Sequence, residues 1–180
     1  MRLHTRAVDR LAQHRLLEAG FTPLLARLLA ARGIARAEDA QLELAALLPP
    51  ASLLGIDAGA RLLSDAIDRE EPVVVVGDYD CDGATAIAVA VLGLRAMGAR
   101  VDYLVPNRFE NGYGLTPEVA ELAAAHPRLG RPAVLVTVDN GIASIAGVER
   151  ARALGMKVLV TDHHLPGDRL PDAEVIVNPN

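Results

Sequence analysis

The segment VVVVGDYDCDG, residues 73–83, sets aspartates at positions 78, 80 and 82 and closes on Gly83. Further along, Asp139-Asn140-Gly141 and Asp162-His163-His164 each follow an apolar run. Carboxylates joined by imidazoles make a hard, oxygen-rich donor set. Such a set suits Mn²⁺, and suits Mg²⁺ less well because that ion prefers oxygen alone. Two such ions roughly 3.5–4 Å apart clamp the attacking and leaving oxygens of a phosphoryl group during hydrolysis. One carboxylate must then be shared while others hold each ion. The chemistry these residue types point to is metal-assisted phosphoester hydrolysis.

Other readings of the first motif fail on spacing. Counted from Asp78, the stretch copies the first half of a calcium loop, D-x-D-x-D-G, whose twelfth residue must be a bidentate Glu. That residue is Val89, and the ninth is Ala86. A haloacid-dehalogenase-type D-x-D-x-[TV] motif would also follow an apolar strand, but Asp82 or Ala84 stands at its diagnostic position. The chain holds no glycine-rich phosphate loop of the Walker or dinucleotide type.

These residues need elements that bring them together. After Pro72, short Val-rich runs at Val73–Val76, Val101–Val105, Ala133–Val138, Lys157–Thr161 and Glu174–Val177 alternate with helical patterns at Ala84–Met97, Pro117–Ala125 and Ser144–Leu154. Strands alternating with helices predict an α/β fold with a mainly parallel sheet flanked by helices. The carboxyl ends of parallel strands share one edge, where ligands bind. The three acidic clusters each follow a strand and so converge on one crevice. Gly83 and Gly141 would let backbone approach the ions, and the helix after Gly83 would aim its positive end at bound phosphate. Residues 1–71 read as an N-terminal helical extension. In it Leu24, Leu25, Leu28 and Leu29 recur at helical spacing, as do Ala37 to Leu48 and Ala60 to Arg69.

Bulk properties set the outer limits. The chain has 180 residues, 51% hydrophobic and 23% charged, with a net charge of −5 and one cysteine. That composition describes a globular domain without disulfides, as in a reducing cytoplasm. No apolar run reaches the roughly 18 residues of a membrane span, and no signal peptide is visible. The acidic balance argues mildly against a nucleic-acid partner, except that the clustered aspartates are where metal would offset them.

DYDCDG, DNG and DHH, in that order, resemble the first three motifs of the DHH phosphoesterases. PNRFENGYGL (106–115), the terminal IVNPN and the helical lead-in LLARLLAARGI are most similar to the branch of RecJ-type single-strand-specific exonucleases. The resemblance implies a DHH phosphoesterase domain over 72–180 that hydrolyses single-stranded DNA 5′→3′ in repair and recombination, with two Mn²⁺ ions and Mg²⁺ as an alternative. It implies that Asp80 holds one ion and Asp82 the other, that Asp139 bridges them and that His163 completes a ligand set. His164 is then a phosphate contact, and Asp162 orients the imidazoles. Related phosphodiesterases carry a His where this chain has Val76, so Asp78 is expected to supply that ligand.

The family has a fourth motif with a further ligating Asp. The chain is expected to stop before it, to be weak or inactive alone, and to lack C-terminal regions that would meet repair or replication proteins. Arg108 is expected to contact a nucleic-acid phosphate and Tyr113 to stack on a base. Cys81 alternates away from its aspartate neighbours and is read as packing. His4, His14 and His126 are read as surface residues. Two further readings are a DHH phosphodiesterase for short oligonucleotides or cyclic dinucleotides, and a non-catalytic repair scaffold.

Overall fold

The fold is that of a computed structural model, which describes residues 4–41 and 43–180. Four consecutive valines start its sheet, because β-branched side chains fit a pleat and leave both of its faces apolar. The strands are β1 (Val73–Val76), β2 (Val101–Leu104), β3 (Val134–Val138), β4 (Lys157–Thr161) and β5 (Val175–Val177). All neighbours pair in parallel, in the order β2-β1-β3-β4-β5. The helices are α1 (Arg10–Glu18), α2 (Pro23–Ala30), α3 (Ile56–Asp68), α4 (Cys81–Ala96), α5 (Arg108–Asn111), α6 (Pro117–Ala124) and α7 (Ile145–Ala153).

Alternation along the strands builds two cores. Val74, Val76, Leu135, Val158 and Val160 face one layer and pack with Leu115, Val119, Ala123, Val148 and Met156 from α6, α7 and their connections. Val73, Val75, Val134, Val136 and Leu159 face the other layer, where Ala66 of α3 and Ile87, Val91 and Leu94 of α4 cover them. All four β1 valines are buried, each worth roughly 1.5–3 kcal/mol against exposure, an upper bound because denatured chains already hide some surface.

The described chain divides into two compact units between Leu48 and Pro49. In the first, α1 and α2 enclose a small core of Ala12, Leu16, Ala26 and Ala30. Both helices are capped, α1 by Asp9 and α2 by Thr22 ahead of Pro23. The division lies earlier than the boundary expected at residue 71, for a physical reason. No helix connects β4 to β5, so α3 supplies the layer over these strands, and Gly59 brings it close to Leu159 and Val177. The helix expected over Ala37–Leu48 is replaced by short 3-10 turns at Glu38–Ala40 and Leu44–Ala46, with Leu42 outside the described residues. Among the described residues no helix is long and apolar enough to cross a membrane.

Order in the sheet reverses beside β1, because β2 lies on one side and β3 on the other. In such sheets the crevice outside the strand ends at the reversal is the natural ligand site. Residues 78–82 follow β1 and Asp139 follows β3, so the fold delivers the acidic clusters there.

Candidate metal centre

At the end of β1 the chain passes Gly77 and buries Asp78, which is 4% exposed. Two residues on, Asp80 is exposed and caps α4, accepting from Gly83 N–H at 3.3 Å. Asp82 stands exposed in the first helical turn. A side chain on Gly83 would meet the Asp78 carbonyl oxygen at 2.7 Å, so this glycine lets the helix start against its own loop. Gly141 acts likewise: its φ is +114°, and a Cβ would sit 2.4 Å from Thr137 Oγ1. Both glycines allow a close approach of protein to protein where the loops turn.

Asp139 follows β3 with φ 60°, in the left-handed region that Asp tolerates better than most residues. Its N–H donates to Thr161 O at 3.1 Å, tying the turn to the end of β4. Asn140 donates to Val76 O and Val138 O, holding the ends of β1 and β3 together. Thr137 Oγ1 and Asn140 Oδ1, beneath this turn, are buried without a partner among the described residues. A left-handed non-glycine residue next to unpaired buried polar atoms is typical of positions kept for function.

After β4, Asp162 accepts from the backbone N–H of Ile142, His163 and His164 and pairs with His164 Nδ1 at 2.7 Å. Burial pushes the Asp162 carboxyl up, but these hydrogen bonds outweigh it and hold the group below the usual carboxylate range. The same pair raises the His164 imidazole above its ordinary value. Because a carboxylate only accepts, Nδ1 carries the proton in this pair, leaving Nε2 for another partner.

Ligand-capable atoms fall into two overlapping groups. Asp80, Asp82 and Asp139 offer oxygens within 4.8 Å of one another, and Asp139, His163 and His164 form a second group within the same limit. Asp139 belongs to both. His163 Nε2 lies 2.8 Å from Asp139 Oδ1 and 4.0 Å from Asp82 Oδ2, reaching across from β4. This donor set of carboxylates and imidazole fits Mn²⁺ by chemistry.

Asp78 does not join either group. Its carboxylate is taken by Arg108, whose Nε lies 2.7 Å from both oxygens. The same guanidinium reaches Asp80 at 2.6 Å and lies 5.0 Å from the ring centres of both Tyr79 and Tyr113. Pairing with Asp78, then Asp80, raises the Arg108 pKa, and Arg108 in turn holds Asp80 below the usual carboxylate range. The ligand expected from Asp78 is therefore not placed with the others, because burial gave this carboxylate a fixed cation.

A hollow of about 400 Å³ opens beside His164, lined by Tyr113, Asn140, Ile142, Ser144 and Asp162. The Tyr113 ring meets that of His164 edge-on at 6.3 Å. A broader cleft beside it is lined by Asp82, Asp139 and His163.

Several residues the spacing did not mark take part. Asn178 donates to His164 O and Asn180 to His163 O, so the NPN stretch staples the loop after β4. Tyr79 was visible only as the residue between two aspartates. Cys81 is exposed rather than packed, since the helix begins there and strand alternation no longer applies. His126 is buried, not on the surface, with Nδ1 accepting from Leu129 N–H and Nε2 set to donate to Tyr103 O.

A model of the DHH family's N-terminal domain matches residues 72–180. The chain belongs to the DHH family. It is 49% identical over 181 residues to the single-stranded-DNA-specific exonuclease RecJ of Escherichia coli (strain K12), covering 100% of this chain and 30% of that protein. The fold is similar to that of an exonuclease RecJ bound to manganese (TM-score 0.63, 39% identity, 74% of this chain and 32% of that one). It is also similar to RecJ in complex with Mn²⁺ from Thermus thermophilus (TM-score 0.64, 32% identity, 94% of this chain and 23% of that one). The chain thus spans less than a third of the length of each of these DHH relatives.

Proposed function

We propose that this chain carries the metal-holding residues of an exonuclease that hydrolyses phosphodiesters of single-stranded DNA from the 5′ end, in the cytoplasm, in DNA repair and recombination. The observation that carries this reading is the position of Asp139, common to two ligand groups that a pair of ions would share. The similarity to RecJ proteins supports the choice of substrate and of Mn²⁺, with Mg²⁺ as the weaker fit.

Asp80 would hold one ion, Asp82 with His163 the other, and Asp139 both. When bound, such ions stabilise charge on phosphoryl oxygens and ease deprotonation of the attacking water. The protein's own groups do the rest. Asp162 fixes the His164 ring and keeps its proton-binding power high, so that Nε2 donates to a phosphate oxygen as charge grows there. Arg108 adds a fixed cation at the same edge, and the Tyr113 ring offers a wall for a base.

The test is hydrolysis by the full-length protein of 5′-labelled single strands, duplexes and dinucleotides with Mn²⁺. Single strands shortened from the 5′ end, with duplex resistant, support the proposal. Preference for dinucleotides replaces it with the short-oligonucleotide reading, and absence of both Mn²⁺ binding and hydrolysis replaces it with a scaffold.

A further inference from the structure

We propose that Asp78 is a positioning residue rather than a metal ligand: it fixes the Arg108 guanidinium, and through it the loop 106–113, against the metal centre. The inference deepens the reading of Arg108 as a phosphate contact and rests on it.

A carboxylate that is 4% exposed needs a partner, since burying an unpaired charge is costly. Arg108 fills that need with Nε between both Asp78 oxygens and Nη2 at 2.7 Å from Oδ2, while Tyr79 N–H donates to Oδ1 at 2.8 Å. This engagement leaves Asp78 facing the guanidinium, outside the group formed by Asp80, Asp82 and Asp139.

Arg108 belongs to another segment, 30 residues downstream. Among the described residues, the hydrogen bonds that tie 106–113 to the rest of the protein run through this one side chain; those of Phe109, Glu110, Asn111 and Gly112 stay within the segment. The rings of Tyr79 and Tyr113 flank the guanidinium, which restricts its tilt. With Nε on Asp78 and Nη2 shared with Asp80, Nη1 has no protein partner among the described residues. A planar fork gripped on one side presents its other side to an anion in a set orientation. Asp78 thus acts on substrate through Arg108, and Tyr113 is carried into place with it.

The experiment compares Asp78→Asn, Arg108→Gln and the double variant in the full-length protein. Mn²⁺ calorimetry should return the wild-type number of sites for Asp78→Asn. KM for a single-stranded oligonucleotide should rise about tenfold in each single variant, with a smaller change in kcat. The double variant should be no worse than Arg108→Gln alone, and hydrogen exchange across 106–113 should speed up in all three. Loss of a Mn²⁺ site in Asp78→Asn, or additive effects in the double variant, would overturn the assignment. If Asp78→Asn fails to fold because Arg108 is left unpaired, the neutral double variant set against Arg108→Gln still decides. If the wild type proves not to cleave single strands, the functional reading fails separately, while site number and exchange still test the role of Asp78.

Discussion

The loops after β1 and β4 open the same way and are secured differently. Each begins with a buried aspartate, Asp78 or Asp162, whose Oδ1 accepts the N–H of the following residue, Tyr79 or His163. Each then exposes groups able to bind metal, Asp80 and Asp82 in one, His163 and His164 in the other. The β4 loop is tied by neutral groups, the Ile142 N–H on Asp162 and, from just beyond the next strand, the Asn178 and Asn180 amides on its carbonyls. The β1 loop leans on a cation from a segment beyond the next strand. In both, the first acid is buried and accepts from its own loop, and the residues after it are exposed and able to bind metal. Only the β1 loop is held by a charged side chain, that of Arg108, the residue proposed above to contact substrate.

Asp139 joins the two loops, so its loss should do the most damage. Asp139→Ala should lower kcat/KM by on the order of a thousandfold or more and weaken Mn²⁺ binding in calorimetry. Alanine is poorly suited to the φ of 60° at this position. Asp139→Asn, which tolerates it, should be nearly as inactive while melting close to wild type. Near-normal activity in either variant would break the shared-ligand assignment and leave the loops as independent sites.

Asp162→Asn comes next and tests whether the β4 loop supports itself. Asparagine keeps an acceptor for the backbone N–H groups but removes the charge beside His164. Activity should fall about 10- to 100-fold, the usual range for a group that orients its neighbours. Because the carboxylate is what raises the His164 pKa, the imidazole should titrate at lower pH in the variant, as read by NMR. A raised histidine stabilises the fold below its unfolded pKa and loses that effect as pH rises through its folded pKa. The histidine part of the variant's stability deficit should therefore be larger at acid than at alkaline pH. An unchanged His164 titration would show that Asp162 serves the backbone alone.

The same contrast explains what the sequence made legible. Strand ends were readable because Val-rich runs stop abruptly at Gly77, Asp139 and Asp162, and parallel topology sends such ends to one edge. The DHH loop was readable because its parts are adjacent in sequence. The burial of Asp78 against Arg108 was not, since nothing local separates a buried acid from an exposed one two residues later. Arg108 stands 30 positions away. The helix over Ala37–Leu48 failed for a related reason: apolar residues recur there, but a short helix without a surface to pack on gains too little to offset nucleation. His126 looked exposed because its burial rests on Leu129 and Tyr103, contacts made only in the fold.

The smallest effect should come from Asn178→Ala. The change removes the bond from Nδ2 to His164 O at 3.0 Å and the acceptor for Asn180 N–H at 2.8 Å. Neutral hydrogen bonds of this kind contribute about 1 kcal/mol each, and loss of a buried partner somewhat more. A drop in Tm with kcat and KM within about threefold is the expected result, because Asp162 still accepts from three backbone N–H groups. A tenfold fall in kcat would mean that His163 and His164 are aimed from outside their own loop. The β4 loop would then depend on a remote tether as the β1 loop does on Arg108, and the two would differ only in which neighbour holds them.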